Sequence, residues 1–321
     1  MKRSALVGVK LAVSAALLAY LVSITDMRAL EARVRSADLV MLAAAVSCYV
    51  GMLGLATWRW RLLLETLGVD APLRRLTSSY LVATFFNNFL PSNIGGDVVR
   101  VRDGSRLTGS TAASLAVVGI DRILGFGALY LLAAGAFVLG GPVERGLAGA
   151  RVVLAGLALL FLALGYVFFR PGVARGLLAA TRLDRVPWLL EQFEAAQGAV
   201  HSYRASVASV ATAFGASLVI QSLAVWYYVS IAGALRIPLP VSAAFLMVPL
   251  CTLLQAVPIS FNGWGLREGL FTLYFSQIGL PRDNGLAFSI VGAGLAVMLS
   301  LSGAVAWLAR RHPQPSASAD A

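Results

Sequence analysis

Histidine and cysteine are nearly absent from this sequence, and their scarcity excludes the commonest metal chemistry. The 321 residues include only two histidines, His201 and His312, and both lie outside the apolar runs. The two cysteines, Cys48 and Cys251, each lie within an apolar run, where we interpret them as small buried side chains and not as a disulfide or a metal pair. We therefore expect no metal site and no cofactor.

Charged residues are also scarce. Asp, Glu, Lys and Arg make up 13% of the chain, and hydrophobic residues make up 59%. An ordinary soluble domain is about 25% charged and about 45–50% apolar. The composition therefore excludes a typical soluble protein and indicates a polytopic membrane protein.

Long apolar runs support this interpretation. Residues 5–24 and 39–56 are each long enough to cross a hydrocarbon core of about 30 Å as a helix. Further runs occur at 111–140, 147–169, 205–233, 241–257 and 284–309. We expect one all-α integral membrane domain over residues 1–310, its first run retained as a helix, and a disordered tail at 311–321.

Basic residues outnumber acidic residues by 26 to 15, which gives a net charge of +11. Most of them lie between apolar runs, so we attribute the excess to topology and to anionic lipid headgroups, with no nucleic-acid partner. This distribution predicts a multi-pass protein of the cell's inner (plasma) membrane with both termini in the cytoplasm. One cytoplasmic loop is expected to hold Arg59, Arg61, Arg74 and Arg75, with Trp58 and Trp60 as interfacial anchors.

The segment 170–204 is the most basic long connection. Apolar residues recur in it at helical spacing, at Leu189, Phe193, Ala196, Val200 and Tyr203. Two interpretations stay open for it: an amphipathic helix lying on the cytoplasmic membrane surface, or a solvated helix packed on its own domain.

Two polar stretches interrupt the apolar runs: "NNFLPSNIGGDVVRVRD" at 87–103 and "VPISFNGWGLREG" at 257–269. Pro91 and Pro258 are expected to break a helix in each. Unpaired backbone groups in hydrocarbon cost several kcal/mol each, so such stretches occur only where they line protein or a water-filled cavity. The pattern is typical of a re-entrant or broken helix in a transporter.

The two interruptions share the pattern P-x4-G-x3-R at an offset of 167 residues, which aligns Pro91, Gly96 and Arg100 with Pro258, Gly263 and Arg267. The same offset aligns the second apolar run with the fifth and the third with the last. This predicts an inverted repeat, about 1–140 and 147–310, each half being span, span, interrupted segment, span. We expect about six full spans plus two interrupted segments, the alternative being two unrelated kinked helices.

The residues after each glycine pair look helical, and the free N–H groups of a helix N-terminus favour an anion. Arg100 and Arg267 lie one turn inside these helices, which suits a phosphate. The residues expected to bind the phosphate of a lipid headgroup are Asn88, Asn93, Gly95, Gly96, Arg100, Asn262, Gly263, Gly265 and Arg267.

Acidic residues accompany these arginines. Asp97 is three residues from Arg100 and shares its helical face, whereas Glu268 is adjacent to Arg267 and is expected to face another helix. Asp121 and Arg122 are interpreted as a third charged pair within the run 111–140, either facing the cavity or locking helices together. The expected gating or ion-pairing residues are thus Asp97, Asp121, Arg122 and Glu268.

The stretches "NNFLPSNIGGDVVR" and "PISFNGWGLREG" resemble the two hallmark motifs of a flippase-like transmembrane family that includes the membrane domain of lysylphosphatidylglycerol synthases. "WRWRLLLETLG" and "VVGIDRILGF" are also similar to that family, so the resemblance covers nearly the whole chain. It implies a polytopic membrane domain and, in the synthases, a module that moves aminoacylated phosphatidylglycerol between leaflets. The resemblance carries functional roles over to Pro91, Gly95, Gly96, Asp97, Arg100, Pro258, Asn262, Gly263, Gly265, Arg267 and Glu268.

The 321 residues contain no aminoacyl-transfer domain, so we expect no synthase activity. The expected function is that of a lipid flippase or scramblase for an anionic phospholipid or a polyprenyl-phosphate-linked glycan. With no ATP-binding motif, movement would be downhill or ion-coupled. The alternative is a non-transporting membrane partner, a scaffold for a glycosyltransferase or lipid-modifying enzyme. An intramembrane enzyme is disfavoured because "IGGD" lacks the glycine spacing and acidic partner of an aspartyl protease.

Overall fold

The computed structural model describes residues 35–89, 95–147, 149–170, 172, 176, 203, 206–256 and 263–311. Within these ranges the chain is helical and has no strand, which confirms the all-α class. The helices are α1 Leu39–Glu65, α2 Leu73–Phe89, α3 Gly95–Thr108, α4 Thr111–Leu139, α5 Pro142–Gly146, α6 Ala150–Phe169, α7 Val207–Ala234, α8 Val241–Gln255, α9 Leu266–Gln277 and α10 Arg282–Arg311.

Several predictions from the sequence concern residues outside these described ranges. The first apolar run, the tail after residue 311 and nearly all of the segment 170–204 lie outside the described residues, as do Pro91, Asn93, Pro258 and Asn262. Tyr203, at the end of that segment, is buried, and its hydroxyl donates a hydrogen bond to the Leu63 carbonyl of α1 at 2.8 Å. The end of the basic segment therefore packs against the helical domain.

Four described helices, α1, α4, α7 and α10, are long and apolar enough to cross a membrane. They have 27 to 30 residues, or about 40–45 Å of helix. Large apolar side chains point outward on them, for example Val50 on α1, Leu131 on α4 and Val305 on α10. An apolar exterior is what lipid requires, so the fold is that of a multi-pass membrane protein.

The first interrupted segment forms two short helices and not one continuous span. The Ser79 hydroxyl of α2 donates to the Asp103 carboxylate of α3 at 2.6 Å, and the Gly96 N–H donates to the Asn87 side chain at 2.7 Å. Gly96 and Asn87 lie next to the interruption between the two helices, and Ser79 and Asp103 lie farther from it on either side. Helices α2 and α3 therefore run antiparallel as a hairpin. A Cβ on Gly96 would lie 2.2 Å from the Ala83 carbonyl oxygen, so only glycine permits this spacing.

The second interrupted segment separates α8 from α9, which then packs against α10. Gly263 and Gly265 lie between α8 and α9 with φ angles of 77° and 80°, a conformation that favours glycine. A Cβ on Gly285 of α10 would lie 2.8 Å from the Phe271 carbonyl oxygen of α9. Both interruptions therefore depend on glycine, for a backbone turn or for close helix packing.

The two pairs of short helices enter the bundle from opposite ends. The Asp38 N–H, just before α1, donates to the Ala234 carbonyl at the end of α7 at 3.0 Å, so α8 begins at that end. The pair α2–α3 follows the opposite end of α1, where Arg310 of α10 contacts Asp103 at 2.7 Å. We call these ends of the bundle the Asp38 end and the Glu65 end.

Helix lengths and contacts recur between the two halves of the chain. Helices α1 to α4 have 27, 17, 14 and 29 residues, and α7 to α10 have 28, 15, 12 and 30. Helix α1 packs along α7, α2 along α10, and α8 along α4. The second helix of each half thus packs on the last helix of the other.

The apolar core lies in two clusters. One surrounds Trp60 and Leu63 of α1 and includes Leu76 of α2 and Val117 of α4. The larger cluster joins α7 to α10 around Phe271, Phe275 and Phe288. The polar site described below lies against the first cluster, so rigid packing surrounds its charged groups.

Glu144 stabilises the turn at the Asp38 end. Its carboxylate accepts hydrogen bonds from the Gly141 N–H at 2.7 Å and from the Ser242 hydroxyl, and these bonds, chiefly that of Ser242, hold its pKa below the ordinary value. The resulting stabilisation is present above the pKa of the unfolded chain and is lost as the pH falls through the folded pKa.

We expect Glu144→Gln to lower the free energy of unfolding in detergent by about 1 kcal/mol at pH 7, because one charge-assisted hydrogen bond is lost. The difference from the unsubstituted protein should shrink as the pH falls through the folded pKa of Glu144, because protonation removes the charge of the carboxylate. Unfolding measured at pH 7 and at a series of lower pH values checks this. A difference that stays constant across the series would contradict it.

Candidate functional site

A cavity of about 300 Å³ lies within the helix bundle, where the α2–α3 hairpin meets α1, α4, α7 and α8. Residues of α1 reach it at helical spacing, at Tyr49, Leu53 and Ala56. Its apolar wall also includes Phe126 and Leu129 of α4. The charged residues that line it are Arg59, Asp97, Arg100, Asp121 and Arg122, and the polar ones include Tyr80, Thr84, Asn87, Gln221 and Thr252.

Asp121 is the centre of the buried charges. Its Oδ2 lies 2.8 Å from Nη1 of Arg100, and its Oδ1 lies 2.8 Å from Nε of Arg59. The three side chains are 3–6% exposed. Nη1 of Arg59 also donates to the Ser217 hydroxyl of α7 at 2.6 Å. This triad therefore links α1, α3 and α4 of the first half to α7 of the second.

A second ion pair lies beside the triad. Nε and Nη2 of Arg122 lie 2.8 and 2.7 Å from Oδ2 of Asp97, whereas Arg100 is 4.0 Å from the other Asp97 oxygen. The predicted pairing of Asp121 with Arg122 is therefore wrong, and Asp97 pairs chiefly with Arg122. Adjacent helix residues point in different directions, and the packing of α3 on α4 brings their opposite charges closer together.

The three arginines differ in access. The guanidinium carbon of Arg100 lies 4.8 Å from the Trp60 ring and 4.9 Å from the Tyr80 ring, and its buried Nε and Nη2 have no hydrogen-bond partner among the described residues. The Arg122 side chain is 37% exposed, compared with 5% for Arg100 and 6% for Arg59. Arg122 is therefore the most accessible of the three arginines, and Arg59 and Arg100 are buried.

The charges of the cavity do not cancel. Among the described residues that line it, three arginines face two aspartates, which leaves one positive charge in excess. Arg59 lies six residues from the end of α1, about 9 Å, and Asp121 lies ten residues from the start of α4, about 15 Å. A net charge that is largely buried among helices is costly without a counter-ion, and a bound anion would supply one.

The second arginine of the sequence pattern lies elsewhere. Nε of Arg267 donates to the Glu268 carboxylate at 3.0 Å and to the Ser289 hydroxyl of α10 at 3.1 Å, and neither Arg267 nor Glu268 lines the cavity. Glu268 faces another helix, as expected, because the Ser289 hydroxyl of α10 donates to its carboxylate at 3.1 Å, but it also pairs with its neighbour Arg267. Glu268 is fully buried and turns back to accept the Gly265 N–H at 2.7 Å, which brings its carboxylate beside Arg267.

The other residues predicted to bind the headgroup also fall into two groups, those of the first motif and those of the second. Gly95 and Gly96 are buried where α3 begins, and Gly263 and Gly265 lie before α9. Asn88 is not among the residues that line the cavity, and its neighbour Asn87 is. The structure therefore places Arg100, Asp97, Asp121 and Arg122 together and leaves the described residues of the second motif apart from them.

Arg59 is the residue that sequence reasoning assigned wrongly. It was expected in a cytoplasmic loop, but it lies within α1 with 5% exposure and contacts Asp121. Trp60, expected at the interface, is 1% exposed and packs on Arg100, whereas Trp58 is 40% exposed. The available signal was the helical spacing of Tyr49, Leu53, Ala56 and Arg59, four, three and three residues apart, which puts them on one face.

A family model described as the lysylphosphatidylglycerol synthase TM region matches residues 7–303. The chain belongs to this family. The match spans both interrupted segments and every charged residue of the cavity, and family membership indicates a role connected with membrane lipids. No curated protein and no solved structure matches the chain.

Proposed function

We propose that this protein moves an anionic lipid between the leaflets of the membrane, with the lipid headgroup passing through the cavity. The observation that carries the proposal is the excess positive charge of three arginines over two aspartates lining a cavity of about 300 Å³. A phosphate group satisfies both the charge and the guanidinium hydrogen-bond donors. Membership of a lipid-related membrane family supports the same conclusion.

The recurrence of helix lengths and contacts supports an inverted repeat in which α2–α3 and α8–α9 are re-entrant hairpins. In transporters with such repeats, the halves rock about a midplane site and open it to one side at a time. The Arg59–Ser217 hydrogen bond joins the first half to α7 at the cavity. Movement of one half relative to the other would therefore displace the charged side chains around Asp121. The Glu65 end, with Arg61, Arg74 and Arg75, is assigned to the cytoplasm of a plasma-membrane protein.

In this mechanism the headgroup first meets Arg122 and competes with Asp97 for its guanidinium group. Arg100 and Arg59 stay bound to Asp121 and supply the charge that retains the phosphate. The acyl or isoprenoid chains remain in the bilayer beside the apolar outer surface. The headgroup thus crosses in a polar environment, and the cost of its burial in hydrocarbon falls.

We expect Arg122→Gln to slow leaflet exchange of a labelled anionic phospholipid in proteoliposomes by about 10- to 100-fold, because one charge-assisted contact of about 1.5–3 kcal/mol is lost. Arg61→Gln is the matched control, since the Arg61 side chain is also 37% exposed but pairs with Glu65 on the surface. Exchange by the control should equal that of the unsubstituted protein.

Two results would contradict the proposal. Equal rates of exchange for the Arg122→Gln and Arg61→Gln proteins would mean that the lipid headgroup does not pass through the cavity. Exchange no faster than in empty liposomes, for phospholipids and polyprenyl phosphates with and without a proton gradient, would reject transport and favour a scaffold for a lipid-modifying enzyme.

A further inference from the structure

We infer that the cavity selects headgroups by their number of negative charges, that it accepts a single charge, and that Asp97 and Arg122 set this number. The inference rests on the proposed function for the statement that the ligand is a lipid headgroup. Its basis is the count of charges facing the cavity and the way in which they pair.

The Arg59–Asp121–Arg100 triad and the Asp97–Arg122 pair contribute differently to this count. Arg59 and Arg100 share one counter-ion, Asp121, so the triad carries one positive charge. Arg122 and Asp97 neutralise each other. A headgroup with one negative charge brings the described lining to zero, a zwitterionic one leaves it at plus one, and a dianionic one takes it to minus one.

Because the charges of the triad are buried, the net charge of the cavity lining strongly affects which ligand binds. The Arg100 guanidinium lies against both the Trp60 and the Tyr80 ring and has two buried N–H nitrogens without a hydrogen-bond partner among the described residues. Water and salt screen such a group far less than a surface charge. An uncompensated charge in this setting is destabilising, so the charge-neutral complex is the favoured one.

The net charge of the lining also bears on the class of lipid. A phosphodiester headgroup such as phosphoglycerol carries one negative charge, whereas the diphosphate of a lipid-linked glycan carries at least two. The first brings the lining to zero and the second takes it below zero. The ligand class is therefore a monoanionic phosphodiester headgroup, and lipid-linked diphosphate glycans are disfavoured.

Asp97 and Arg122 are the residues through which the count can be changed. Their side chains are 13% and 37% exposed, and neither is needed for the contacts among Arg59, Asp121 and Arg100. Asp97→Asn raises the net charge to plus two, and Arg122→Gln lowers it to zero. The double variant restores plus one, which separates charge from any single lost contact.

The test is binding of water-soluble dihexanoyl lipids to the purified full chain in detergent, measured by calorimetry at pH 8. Phosphatidylcholine, phosphatidylglycerol and phosphatidic acid then carry about zero, one and two negative charges, since a phosphomonoester has its second pKa near 6. We expect the unsubstituted protein to prefer phosphatidylglycerol to either other lipid by at least about 10-fold.

Each variant has its own expected preference. Asp97→Asn should bind phosphatidic acid best, Arg122→Gln should bind phosphatidylcholine best, and the double variant should regain the original order. Gln221→Glu lowers the count from a position on α7 and should mimic Arg122→Gln, so misfolding of one variant leaves the test intact. The same lipid order in all folded variants would overturn the inference.

Leaflet exchange of the same three headgroups, on long-chain lipids in proteoliposomes, separates the two proposals. Binding that follows charge number without any exchange would retain the inference and reject transport. Exchange that is equally fast for all three headgroups, together with binding that ignores charge number, would retain transport and reject the inference.

Discussion

Replacing Asp121 with alanine should lower the free energy of unfolding by about 3–5 kcal/mol, because it leaves Arg59 and Arg100 buried without a counter-ion. Both arginines lie 2.8 Å from this carboxylate, and their side chains are only 6% and 5% exposed. Loss of the anion also raises the excess charge of the cavity lining from one to two, so headgroup exchange should be impaired as well. Unfolding of the purified protein in mixed detergent micelles measures the first effect.

Asp70→Ala is the matched control for that experiment. Asp70 also pairs with an arginine, Arg61, at 3.4 Å, but its side chain is 88% exposed. Exposed ion pairs contribute about 0–1 kcal/mol, so this variant should unfold nearly like the unsubstituted protein. A similar, small loss for Asp121→Ala and Asp70→Ala would mean that water reaches the triad and that its charges are not buried.

Gly96→Ala should be the second severe change, with a loss of about 3 kcal/mol or more. The new Cβ would lie 2.2 Å from the Ala83 carbonyl oxygen and 2.7 Å from the Asn87 side chain, and the backbone contact cannot relax by a side-chain rotation. The hairpin would have to open, which breaks the 2.7 Å hydrogen bond from Gly96 to Asn87 at the cavity. Unfolding and leaflet exchange should both be affected.

Gly119→Ala provides the comparison within a neighbouring helix. A Cβ on Gly119 of α4 meets nothing within 4 Å, so the substitution adds helix propensity of up to about 1 kcal/mol without a clash. We expect this protein to be at least as stable as the unsubstituted one and to exchange lipid normally. If Gly96→Ala behaves in the same way, the close approach of α2 and α3 is not required for the site.

Much of the architecture was readable from apolar patterning. The runs at 39–56, 111–140, 205–233 and 284–309 correspond to α1, α4, α7 and α10. Pro91 and the glycines at 95 and 96 predicted the interruption that separates α2 from α3. These predictions succeed because membrane helices must satisfy their own backbone hydrogen bonds, so length and hydropathy alone constrain them.

The pairing of the charged side chains could not be predicted from apolar patterning. Asp121 and Arg122 are neighbours in sequence, but each binds a residue of α3 that is 21 or 25 positions away. Glu268 faces α10, as expected, but it also pairs with its neighbour Arg267, because its carboxylate turns back onto the Gly265 N–H. Side-chain partners depend on which helices touch, and one sequence does not state that.

The sequence by itself determined the class of the protein, its main membrane helices and the first polar interruption, because hydrophobicity and helix breaking are local properties. It also identified Asp97, Arg100, Asp121 and Arg122 as costly residues in a membrane. Only the tertiary structure decided that Arg59 joins them, that Arg267 lies apart and that one positive charge remains in excess. That balance arises when α1, α3, α4 and α7 pack around one cavity, since the energy of a buried charge depends on its neighbours in space.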